Sequence, residues 1–130
     1  MRSEKDIVLW PKVKAMKKFH QRLIGMLGEQ QPTTEMAFWF PFCKSIHTWG
    51  MKEPIDVVAF DKESRIIEVR RFICPNEIAR FKGAHGLVEM AAGNFWPLEK
   101  WIGKKLKFIN RHGELNENKY FDCCIAIELN

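Results

Sequence analysis

The chain has 130 residues and a formal net charge of +5, with 46% apolar and 12% aromatic side chains. That length and apolar content suit one compact domain over 1–130 and exclude an intrinsically disordered chain. No apolar run approaches the ~20 residues a membrane-crossing helix needs, and the first residues do not read as a secretory signal, so the expectation is a cytoplasmic protein without membrane insertion.

In chain order, Met16, Phe19, Leu23, Met26 and Leu27 recur at helical spacing with lysines on the other side, and Gly28 supplies a stop. This predicts a helix over 14–27. From Ala37 the period changes. Residues 36–42 form a short aromatic-rich strand, and 55–60 and 66–73 form a hairpin closed by the turn Asp61-Lys62-Glu63-Ser64. Strands follow at 87–92 and 105–109, with a single helical turn between them that starts near Pro97. The last segment alternates most cleanly: Phe121, Cys123, Ile125, Ile127 and Leu129 share one face of a strand over about 120–129. The expected fold is therefore mainly β (α+β), a compact antiparallel β-sandwich or squat barrel with one N-terminal helix packed on it.

The four cysteines, Cys43, Cys74, Cys123 and Cys124, show neither a C-x-x-C pair nor a zinc spacing, and read as free thiols in a reducing compartment. Basic residues gather in two groups, Lys12, Lys14, Lys17, Lys18 and Arg22, then Lys100, Lys104, Lys105, Lys107 and Arg111 beside Trp96 and Trp101. Such groups could neutralise phosphates while tryptophans stack on bases, but no nucleic-acid motif accompanies them. The plainer reading is a solvated face over core tryptophans.

The candidate chemistry lies between Phe40 and Asp61. Cys43, His47 and Asp56 have the residue types of a nucleophilic triad. Four extended steps of ~3.3 Å would hold Cys43 and His47 about 13 Å apart, so only a bend could join them. Asp56 shares a strand face with Val58 and Phe60 in a segment apolar on both faces. A carboxylate there must find hydrogen bonds or a cation, expected from the Thr48–Lys52 loop or from His47 or Lys52. Glu89 poses the same question, and it would form an acid–base pair with Asp56 if both faced one cavity. Trp49 and Met51, with Phe38, Trp39 and Phe40, could wall an apolar pocket, the usual form of a small-molecule site.

The run Ser45-Ile46-His47-Thr48-Trp49-Gly50-Met51, then Pro54-Ile55-Asp56-Val57-Val58-Ala59-Phe60-Asp61, resembles the signature of domain-of-unknown-function family 192, the "uncharacterised ACR" proteins of bacteria and archaea. Leu87-Val88-Glu89-Met90-Ala91-Ala92-Gly93 continues the resemblance, which covers about 14–109. It departs from the family pattern where Arg22-Leu23-Ile24-Gly25-Met26 and Gly103-Lys104 stand. The resemblance implies a β-rich, jelly-roll-like architecture, no defined activity, and envelope or secretion contexts for some relatives.

The leading functional reading is a non-enzymatic accessory domain that binds a small molecule or a protein without a cofactor, through a site near the His47–Lys52 loop. The candidate site residues are His47, Thr48, Trp49, Met51, Lys52, Asp56 and Glu89. Two other readings compete: a small hydrolase-like or metal-assisted enzyme using His47 with Asp56, Glu89 or Cys43, and a nucleic-acid-binding module using the lysine clusters.

Overall fold

The computed structural model describes residues 6–16, 35–110 and 122–129. These contain the strands β1 Asp6–Ala15, β2 Met36–Pro41, β3 Ser45–His47, β4 Ile55–Phe60, β5 Ile66–Ile73, β6 Ile78–Arg80, β7 Gly86–Ala91, β8 Lys105–Asn110 and β9 Cys123–Glu128, and one 3-10 turn at Leu98–Trp101. Seven strands form one sheet in the order β5-β4-β7-β2-β1-β9-β8, while β3 and β6 make a separate two-stranded ribbon. All ladders in the large sheet are antiparallel except β1 with β2, which is parallel.

Alternation along the central strands builds two cores. On one face Phe38, Phe40, Ile55, Val57, Ala59 and Leu87 pack beneath Ile46 and Ala79 of the ribbon and beside Phe81. On the other, Val58, Phe60, Val88 and Met90 meet Trp10 and Val13 of β1, Ile125 and Ile127 of β9, Leu106 of β8 and Leu98 of the 3-10 turn. Each face thus holds a separate buried cluster, and all six residues of β4 are buried. Gly86 is required where β7 begins: a Cβ there would lie 2.4 Å from the Phe60 ring.

Two expectations about the fold are corrected. The helix over 14–27 fails at its start, since Lys14 and Ala15 end β1, in register with Phe38 and Trp39 of β2. Residues 17–27 lie outside the described residues, among which no α-helix occurs. The lysines that suggested a helical polar face instead alternate with a fully buried Val13, and ladders on both sides of β1 outweigh local propensity. Pro11 is tolerated in this strand because the register against β9 shifts between Trp10 and Val13, so no regular ladder bond is lost there.

The second correction concerns closure. The architecture is one rolled sheet with a ribbon, neither a sandwich nor a closed, jelly-roll-like barrel. Its edge strands β5 and β8 approach at a single isolated bridge, Arg65 to Lys105. Farther along β5 the 3-10 turn and the loop before it pack where a closing strand would run, and Arg71 ties them to that edge.

Candidate functional site

Asp56 is fully buried, and its carboxylate accepts four hydrogen bonds. Oδ1 takes the Phe72 amide at 2.8 Å, and Oδ2 takes the Arg71 guanidinium at 2.9 Å and the amides of Gly93 and Asn94 at 3.0 and 3.1 Å. These partners replace the Thr48–Lys52 loop, His47 and Lys52, from which help for Asp56 was expected. Arg71 donates further to the carbonyls of Asn94 and Trp96 and forms a two-point pair with Glu99. Glu99 pushes the guanidinium pKa further up, with Asp56 adding to it against the opposing effect of burial. The same contact holds the Glu99 carboxyl at about 2.

The network fills a β-bulge. Ile55 pairs with Ile73 and Val57 with Arg70, so Arg71 and Phe72 together oppose Asp56. Phe72 sits at φ 55°, a left-handed conformation that costs a bulky side chain about 1–2 kcal/mol. The bulge turns its ring outward, leaving the residue 63% exposed. Missed in the sequence, Arg71 and Phe72 had left one trace there: adjacent Arg70 and Arg71 interrupt the period-2 pattern of β5.

Beside Phe72 lies an open cleft of about 290 Å³, lined by Met51, Pro54, Ile55, Phe72, Ala91 and Ala92, with Glu53 the one acidic contributor. Thr48 fixes the loop that brings Met51 there. Its buried hydroxyl donates to the Cys74 carbonyl at 2.7 Å and accepts from the Glu77 amide at 2.8 Å, while its carbonyl accepts from the Met51 and Asn76 amides.

Of the pocket wall expected from the sequence, Met51 alone lines this cleft. Phe38 and Phe40 belong to the core, and Trp39 stacks on Phe108 at 4.3 Å. Trp49 is half exposed and stacks on His47 at 4.8 Å, outside the cleft lining, and Lys52 is exposed on the same loop. Asp56 pairs in register with Met90, and Glu89 with Val57, so the two carboxylates occupy opposite faces of the sheet. They form no acid–base pair. Asp56 is likewise committed away from His47, and the Cys43 thiol donates to the Ser45 carbonyl at 3.0 Å. Among the described residues, no three His, Cys, Asp or Glu side chains gather to hold a metal ion, and no helix is long and apolar enough to cross a membrane.

The basic groups fare differently. Lys12 and Lys14 pair with Glu35 and Asp122, and Lys107 with Asp6 and Glu128. Lys17, Lys18, Arg22 and Arg111 lie outside the described residues. Trp96 and Trp101 are half-buried against the second core.

A rolled, mainly antiparallel sheet carrying an open apolar cleft at one end defines a small β-rich domain with a surface cleft. The chain belongs to domain-of-unknown-function family 192, described as uncharacterized ACR, whose profile matches residues 2–108. The match takes in β1 and ends ahead of β9. No curated protein matches the sequence. Two solved structures are similar in fold. One, from Sinorhizobium meliloti 1021 and described as a putative transcription regulator, has a TM-score of 0.59 at 17% identity over 70% of this chain and 76% of its own. The other is a protein of unknown function from Novosphingobium aromaticivorans DSM 12444, with a TM-score of 0.54 at 12% identity over 62% of this chain and 63% of its own. At those identities the likeness carries the fold alone.

Proposed function

We propose that this chain is a non-enzymatic accessory domain that binds a partner polypeptide, seating an apolar side chain of that partner between Met51 and Phe72. The observation that carries the proposal is Phe72 itself, a bulky residue held in a strained backbone conformation and turned into solvent beside an ionic network anchored on the buried Asp56. Strain of this kind persists only where surrounding structure enforces it, and it concentrates at sites of function. A cleft of about 290 Å³ lies at the small end of the range for small-molecule sites and suits an anchoring side chain from a larger partner. Met51 supplies an adaptable wall, while exposed Lys52 and Glu53 offer a polar rim. Trp49, stacked on His47, extends the surface from the same loop. Thr48 and Asp56 act beneath it as supports, and Glu89 lies deeper on the cleft's side of the sheet.

The test is Phe72→Asn. Asparagine tolerates the left-handed region, so the variant should match or exceed the parent in stability by about 1 kcal/mol in urea unfolding. Apolar peptides selected from a displayed library against the parent should lose about tenfold or more in affinity for it, as for Met51→Ala. Equal peptide binding by both variants would end the proposal, as would a clear loss of stability in Phe72→Asn.

A further inference from the structure

Along the edge of β5, from Arg71 near one end to Ile66 at the other, a second surface joins exposed apolar groups to unneutralised charge. Phe95 is 68% exposed and Ile102 51% exposed, flanking the 3-10 turn that carries Trp101. Phe95 lies against Trp96 with ring centroids 4.7 Å apart, and Trp96 approaches Trp101 at 6.0 Å. Lys100, Lys104 and Lys105 belong to the same segment, and among the described residues none of them forms an ion pair. The segment's one acid, Glu99, is consumed by Arg71. An exposed ring, two half-buried tryptophans and an aliphatic tip set among free lysines are complementary to a surface that is anionic outside and apolar beneath.

We propose that the Phe95–Lys105 segment docks the protein on an anionic phospholipid surface, with Phe95 and Ile102 entering the acyl boundary and the three lysines meeting phosphate and carboxylate headgroups. Tryptophan suits that interface, since the ring is apolar and its N–H is polar. Trp96 already spends its Nε1 on the Leu9 carbonyl at 3.0 Å, which fixes the ring as a platform under Phe95. The alternative of stacked nucleobases is less well served. Phe95 and Trp96 cover one face of each other's rings, and an exposed isoleucine offers a base nothing to stack on.

The experiment is co-sedimentation of the full chain with vesicles of phosphatidylcholine alone or with roughly a third phosphatidylserine. Binding should require the anionic lipid. Combined Lys100→Gln, Lys104→Gln and Lys105→Gln should lower partitioning about a hundredfold. Phe95→Ser with Ile102→Ser, lysines intact, should abolish quenching of tryptophan fluorescence by lipids brominated in the acyl chain. Should that double variant fail to fold, Ile102→Ser alone carries the test. Equal binding to neutral vesicles, indifference to the lysine changes, or displacement from vesicles by an equal charge concentration of single-stranded DNA would overturn the proposal. The last result would mark the surface as one for nucleic acid.

Discussion

At Asp56 a single carboxylate accepts four hydrogen bonds from two separated stretches of chain, residues 71 and 72 and residues 93 and 94, which converge on the start of β4. Its burial among apolar neighbours was legible, because Ile55-Asp56-Val57-Val58 reads as a strand covered on both faces. Its partners were not, because they depend on a bulge that brings Arg71 and Phe72 opposite one residue. Asp56→Asn replaces an acceptor-only group by one whose NH₂ must face an N–H donor in either orientation, and it leaves Arg71 short of one anionic partner. The expected loss is about 3 kcal/mol, seen as a lower urea midpoint with an unchanged slope. Glu89 teaches the same lesson in reverse: a carboxylate of similar sequence context falls on the other face because the β4–β7 register sets Glu89 against Val57.

At the level of elements, the hairpin β4–β5 was plain in the sequence, since both strands are β-branched and the Asp61–Ser64 turn has the expected chemistry. There Asp61 Oδ1 accepts from the Glu63 and Arg65 amides. β3 and β6, three residues each, were missed because segments so short show no measurable period. The 3-10 turn is held to β5 chiefly through Glu99, which gives it a pH dependence of known sign. The Glu99 carboxyl falls from 4.5 to about 2 on folding, so its contribution is complete above the unfolded value and is lost as pH drops through the folded one. Stability followed by thermal melting should therefore fall between pH 4.5 and pH 2, and Glu99→Gln should flatten that part of the curve. Because Glu99 is half exposed, the effect will shrink with added salt.

For the molecule as a whole, the rolled sheet has a centre and a seam. Across β4, β7 and β2 every strand is paired on both sides, whereas β5 and β8 share one bridge and the bonds around it: Ile66 N–H to Lys104, Gly103 N–H to Ile66 and Leu106 N–H to Ser64. Amide exchange should reveal the difference. Ile66, Gly103 and Leu106 are expected to exchange through local opening at the seam, while Val58 and Val88 in the centre exchange only with global unfolding. Uniform protection across both groups would mean the sheet opens as one closed unit.

What the sequence determined by itself was the β-rich character, the hairpin and the family. These follow from local alternation, turn chemistry and residue types, which neighbouring residues specify on their own. Tertiary structure decided that Lys14 and Ala15 end a strand, that the sheet rolls without closing, and that Phe72, more than Trp49, stands at the cleft. Each of those outcomes depends on registry between strands far apart in the chain, where a shift of one residue exchanges the two faces and reassigns every side chain on them.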